Sequence, residues 1–180
     1  GMTRAQEMQA ESRAILDEMH GLLAGRHIRI MEVCVTHTVA IFRAGLRQIL
    51  APEVELVSGP GCPVCVTPDS YIDAAIAYAE MEDVIITTFG DMLKVPGTSS
   101  SLAAAQAAGA DVRIVYSPLD ALAIAADNPA KQVVFLAVGF ETTAPTEAAA
   151  VLAAKEQGLR NFFLLSAQKL VPPVMRALLH

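Results

Sequence analysis

No stretch of this 180-residue sequence is long and apolar enough to span a membrane. Yet 53% of its residues are apolar and its mean hydropathy is +0.43, high for a chain in water. Together these predict a packed globule with a sheet buried on both faces, part of the apolar excess meeting another domain or chain. A basic stripe is also missing. Thirteen Lys and Arg are scattered among nineteen acidic residues, for a net charge of −6. That argues against nucleic acid and anionic membrane as partners and favours a protein or small ligand. Cysteine is scarce, at three residues, and no signal peptide is evident, so the expected compartment is reducing and cytoplasmic. In such a compartment a close cysteine pair is catalytic or metal-binding rather than a structural staple. There is no phosphate-loop or dinucleotide glycine pattern, no Gly-x-Ser-x-Gly, no carboxylate pair at glycosidase-like positions and no low-complexity tract.

What is present is an alternation of short β-branched runs and helical patterns. An amphipathic packing helix is predicted over 2–23, with Met8, Ile15, Leu16, Met19, Leu22 and Leu23 at three-to-four spacing. Strands follow at 28–33, 54–57, 83–88, 112–116, 132–138 and 161–165. Helices are predicted at 38–50, 69–80, 101–108, 119–126 and 143–157, and another opens at Pro172-Pro173. The fold class is therefore α/β, with parallel, helix-covered, Rossmann-like sheet, forming one complete domain and part of a second. The expected division is a packing helix over 1–26, a first α/β domain over 27–127 and an incomplete second unit over 128–180. Asp127-Asn-Pro129 is the most linker-like point.

The residues with chemistry fall just after the predicted strands, where open parallel sheets bind ligands; they should converge on one rim or on two rims facing a cleft. Cys34-Val-Thr-His37 follows the first strand. Ser58-Gly-Pro-Gly-Cys62-Pro-Val-Cys65 follows the second, a loop stiffened by proline and shaped by glycine that presents two thiols. Such a pair suits a dithiol couple, half a zinc site or iron ligation. Cys34 and His37 sit at a strand-to-helix turn favouring a thiolate, and with Cys62 and Cys65 they complete a Cys3His set on count alone. His37 serves equally as a helix cap. Asp91, in Thr87-Thr-Phe-Gly-Asp91-Met-Leu-Lys94-Val-Pro96-Gly97, is placed to orient a histidine, bind a cation or cap a turn. Glu141, in Gly139-Phe-Glu141-Thr-Thr-Ala-Pro145, stands beside two hydroxyls at a helix start. Arg43 and Arg47 are expected on a solvated helix face opposite Phe42, Leu46 and Ile49.

These blocks, with Val115-Tyr-Ser-Pro-Leu-Asp120-Ala-Leu122 and Leu170-Val-Pro-Pro173, run in order through nearly the whole chain. The sequence resembles the HypD family of hydrogenase maturation factors. That resemblance implies a scaffold for assembling the iron centre, with its cyanide and carbon monoxide ligands, of nickel–iron hydrogenases. It implies a HypC-type chaperone and other maturation proteins as partners. By the same resemblance Cys34 ligates the iron jointly with a partner cysteine, His37 stands beside it, Cys62 and Cys65 form a redox-active dithiol, and Asp91 and Glu141 are motif carboxylates. Two positions depart from the family pattern: Val35 replaces a glycine and Gln168 a histidine. Family members are roughly twice as long and carry a C-terminal four-cysteine [4Fe–4S] cluster, whose ligands this chain lacks, so it is an N-terminal part or a shortened relative. Two other functions fit the residues. A thioredoxin-like oxidoreductase would need only Cys62 and Cys65, whereas a zinc-stabilised interaction module would bind stoichiometric zinc.

Overall fold

A computed structural model describes residues 3–33, 35–59 and 61–179, and within them the chain forms two compact units, Gly1–Cys62 and Pro63–His180. In the first unit, α1 (Arg4–Leu23) opens on a capping box in which the Thr3 hydroxyl accepts from Gln6 N–H and the Gln6 side chain accepts from Thr3 N–H. Strands β1 (Ile28–Glu32) and β2 (Val54–Ser58) pair in parallel, Ile28 against Val54 and Glu32 against Ser58. Between them lie α2 (Val35–Arg43) and α3 (Leu46–Leu50). Arg29 Nε donates to Glu55 Oε2 across the register at 2.7 Å, and His20 Nδ1 lies 3.1 Å from Glu53 Oε2, joining α1 to the turn before β2.

Two expectations for this unit need correction. The helix predicted over 38–50 is two helices separated by Ala44-Gly45, so Phe42 no longer shares a 3.6-residue frame with Leu46 and Ile49. Phe42 is 78% and Ile49 42% exposed, whereas Leu46 is half-buried. The apolar stripe of α1 is likewise narrower than its spacing suggests. Leu16, Met19 and Leu23 are half-buried, but Met8, Ile15 and Leu22 face outward. Among the described residues of this unit Val54 is the buried apolar side chain.

The second unit has a four-stranded parallel sheet in the order β4-β3-β5-β6, formed by β3 (Val84–Thr88), β4 (Val112–Ile114), β5 (Gln132–Ala137) and β6 (Phe162–Ser166). Every residue of β3 is buried, and so is every residue of β5 after Gln132, as expected of central strands covered on both faces. Helices α4 (Asp69–Ala79) and α5 (Leu102–Ala107) cover one face through a core of Ile72, Ala75, Ile86, Met92, Leu102, Leu136 and Val138. On the other face, α6 (Pro118–Asp127) packs Ala121 and Ala125 against Ile85, Val133, Phe135 and Ala137. Phe89 meets Phe135 edge to face, ring centroids 5.6 Å apart. Helix α7 (Ala144–Glu156) joins β5 to β6, and α8 (Val171–Leu179) follows β6. The edge strand β4 is blunted: Gln106 Nε2 caps Val112 O at 2.6 Å, and Asp120 Oδ2 accepts from Tyr116 N–H and Ser117 N–H at 3.0 Å each.

The architecture is α/β and Rossmann-like, with parallel sheets flanked by helices. Residues 127–130, expected from composition to separate two domains, connect α6 to β5 inside the second unit, where β3, β4 and β5 share one sheet. The two compact units part instead between Cys62 and Pro63. Asn and Pro mark a chain reversal equally well inside a sheet or between domains. No helix among the described residues is long and apolar enough to cross a membrane.

Candidate functional site

Parallel pairing of β1 with β2 brings both carboxyl ends to one edge of the first unit, with Glu32 level with Ser58. The segments leaving that edge carry His37, exposed in the first turn of α2, and Cys62, half-buried in the loop after β2. Cys34 lies outside the described residues. The edge is held by polar contacts: Thr38 Oγ1 donates to Glu32 Oε1 at 2.5 Å, and Arg47 Nη2 donates to Ser58 Oγ at 3.0 Å. Gly59 N–H donates to Glu32 O at 2.8 Å. A Cβ on Gly59 would stand 2.7 Å from Met31 Cγ and Sδ and 2.9 Å from Glu32 O, so the glycine of the Ser58-Gly-Pro-Gly run lets the Cys62 loop lie against the end of β1.

The second unit has a rim of its own. Cys65 is exposed in the 3-10 turn Val64–Val66, just ahead of α4. Val64 packs against the core cluster that contains Tyr71, Val138 and Ala167, and Tyr71 OH donates to Leu165 O at 2.6 Å. Both contacts set the start of α4 at the carboxyl ends of β5 and β6. Asp91 is exposed in the 3-10 turn Gly90–Lys94 after β3, and the loop beyond it is fastened to α4 because Asp73 accepts from Thr98 N–H at 2.8 Å and from Thr98 Oγ1 at 2.6 Å. Those bonds hold the Asp73 carboxyl below its usual range. Glu141 is exposed after β5, and its Oε1 accepts from Val171 N–H at 2.9 Å.

The candidate residues thus divide by unit, His37 and Cys62 at one rim and Cys65, Asp91 and Glu141 at the other. Among the described residues no three His, Cys, Asp or Glu side chains converge as a metal-holding group. With Cys34, Cys62 and Cys65 as its only cysteines, the sequence has too few thiolates for a four-cysteine cluster.

A polar cluster at the second rim went unrecognised in the sequence. Glu147, in the first turn of α7, is 6% exposed, and its Oε1 accepts from Gln168 Nε2 at 2.7 Å. Burial pushes its carboxyl above the usual carboxylate range, against the opposing effect of the Gln168 bond. Burial, and then the nearby Glu147 charge, push the Tyr71 phenol well above its ordinary value. The available signal was spacing: Glu147, Ala150 and Ala154 share a helix face, and all three are buried.

Comparison with known proteins finds relatives along nearly the whole chain. A family model named HypD and described as "Hydrogenase formation hypA family" matches residues 9–180. Hydrogenase maturation factor HypD of Rhodobacter capsulatus is 47% identical over 175 residues, covering 97% of this chain and 46% of the relative. The Escherichia coli K12 protein of the same name is 51% identical over 156 residues, covering 87% of this chain and 42% of its own length. That of Cupriavidus necator is 44% identical over 156 residues, covering 86% and 41%. The chain spans less than half the length of these relatives, and the matched region contains the cysteine loops and both rim carboxylates. A family match over that span, together with parallel sheets that put the motif blocks at strand ends, makes this chain a member of the HypD hydrogenase maturation family.

Proposed function

We propose that this chain works in the cytoplasm as the N-terminal part of a HypD-type scaffold on which the iron centre of nickel–iron hydrogenases is assembled. Iron is the cargo. Cys34 holds it as a thiolate together with a cysteine from a HypC-type chaperone, and His37, three residues on, assists. Cys62 and Cys65 are the electron source: closing the pair to a disulfide releases two electrons and two protons to the ligands under assembly. Asp91 and Glu141 supply the polar groups of the second rim. The observation that carries this proposal is the near-complete alignment of the chain with maturation factors at roughly half identity, motif loops included.

The test is anaerobic metal analysis of the purified chain, with and without a HypC-type partner, in wild type and in Cys34→Ala. Iron retained only with the partner, and absent from Cys34→Ala, is the expected result. Stoichiometric zinc without the partner would support an interaction module instead, and no metal alongside a readily cycled Cys62–Cys65 disulfide would support a dithiol oxidoreductase.

A further inference from the structure

Glu147 has no part in the proposed chemistry, yet its burial demands a reason. Exposed residues surround it in sequence, Pro145 and Thr146 before it and Ala148 after, while Glu147 as a whole is only 6% exposed. Such a group persists only where a hydrogen bond compensates lost hydration. The compensating donor is the Gln168 amide beyond β6, and that amide has a second partner. Its Nε2 donates to Glu147 Oε1 at 2.7 Å and to Thr143 Oγ1 at 3.0 Å, using both of its protons.

Thr143 passes the constraint on. Its hydroxyl and its N–H each donate to Phe140 O at 3.0 Å, closing the turn 140–143. Glu141 rides on that turn and reaches Val171 N–H at 2.9 Å. The strand end is tied as well, since Lys169 N–H donates to Gly139 O at 2.9 Å. A Cβ at position 139 would run into Thr143 Oγ1 and Gln168 Nε2, so the first residue of the Gly139-Phe-Glu141-Thr-Thr block has to be glycine for these groups to close over it.

We propose that Glu147 and Gln168 are positioning residues for Glu141. The Glu147 carboxyl holds the Gln168 amide, the amide holds Thr143, and the closed turn keeps Glu141 on the N–H of Val171. A leucine at 168 would fill similar space but donate nothing, leaving a buried carboxyl and a turn without its tie. The functional value of this chain of bonds rests on the proposed role of Glu141 at the rim.

Amide hydrogen exchange at Val171 and the ¹³C carboxyl resonance of Glu141, measured in the full chain, test it. Gln168→Leu and Glu147→Leu are expected to speed Val171 exchange about tenfold, the loss of one hydrogen bond's worth of protection, and to move the Glu141 resonance toward that of a solvated glutamate. Glu147→Gln keeps an oxygen acceptor for the Gln168 amide and is expected to retain both wild-type readings. Exchange at Ile85 in the central strand separates local release from global unfolding. Should the leucine variants fail to fold, Thr143→Val at an exposed position breaks the same chain of bonds and is expected to give the same Val171 result. Unchanged Val171 exchange in Gln168→Leu or Thr143→Val overturns the proposal, as does equal release by Glu147→Gln and Glu147→Leu. Wild-type iron capture by Glu141→Gln would remove Glu141 from the proposed function, while the exchange data still decide whether it is positioned in this way.

Discussion

Asn161 closes the second unit at the amino ends of β5 and β6, and its replacement has a calculable cost. The side chain is 8% exposed, and its Nδ2 lies 2.9 Å from Ala125 O, 3.0 Å from Asn128 O and 2.9 Å from Lys131 O. Two amide protons serve three carbonyls around the α6–β5 turn, so one proton is shared. Asn161→Ala removes about two hydrogen bonds' worth of donation, or about 2–3 kcal/mol, although the Ala125 carbonyl keeps the N–H of Asn128 as a partner. For a chain of this size that lowers the melting temperature by about 4–12 °C. Asn161→Asp is the sharper test, because a carboxylate would face three carbonyl oxygens with nothing to donate. The folded state then favours the protonated acid, and the variant's carboxyl is raised above its unfolded value of about 3.9. A raised folded pKa contributes stability fully present below the unfolded value and lost as pH rises through the folded one. Urea unfolding followed by circular dichroism should therefore show Asn161→Asp nearest to wild type at about pH 3, short by about one hydrogen bond because a protonated carboxyl has a single proton to donate, and falling steadily further below it toward about pH 7. A constant gap to wild type across that range, or a loss under about 0.5 kcal/mol in Asn161→Ala, would refute the clamp.

Glu147→Gln should flatten a pH dependence of the opposite kind of residue to the usual surface carboxylate. Because burial raises the Glu147 carboxyl, the wild type loses stability as pH rises through its folded value; the variant is expected to gain on it steadily from acid to neutral pH, and parallel curves would count against the burial. Gly59→Ala forces a Cβ against a backbone oxygen, and a loss of about 1–3 kcal/mol is expected in thermal unfolding, with an unchanged melting temperature as the contrary result. Tyr71→Phe removes the 2.6 Å bond to Leu165 O and should cost about 1–2 kcal/mol in the same assay, a neutral effect arguing against that bond.

Legibility in the sequence followed the range of the interactions involved. Strands such as Val84–Thr88 and Gln132–Ala137 were readable because burial on both faces requires a continuous apolar, β-branched run, and helices such as Asp69–Ala79 because their periodicity lies within a dozen residues. The motif residues were readable as groups of sulfur, carboxylate and glycine just beyond those strands. Glu147 was not, since a glutamate in the first turn of a helix is ordinarily a solvated partner of the helix dipole. The group that compensates its burial is Gln168, twenty-one residues away on another connection. Asn161 was equally silent. A strand-initiating asparagine has no local mark of the carbonyls at 125, 128 and 131 that converge on it.

Neighbours in the chain dictate the alternation of strand and helix, the α/β class and the loops that carry Cys62, Cys65, Asp91 and Glu141, which is why these were legible without the fold. Long-range contacts alone settle that the strands among the described residues form two sheets, that β5 lies between β3 and β6, and that the division falls at Cys62 rather than at the proline-marked turn after α6. Strand order and burial of a polar group depend on which distant backbone and side-chain groups satisfy one another, and no local pattern of residues encodes that choice.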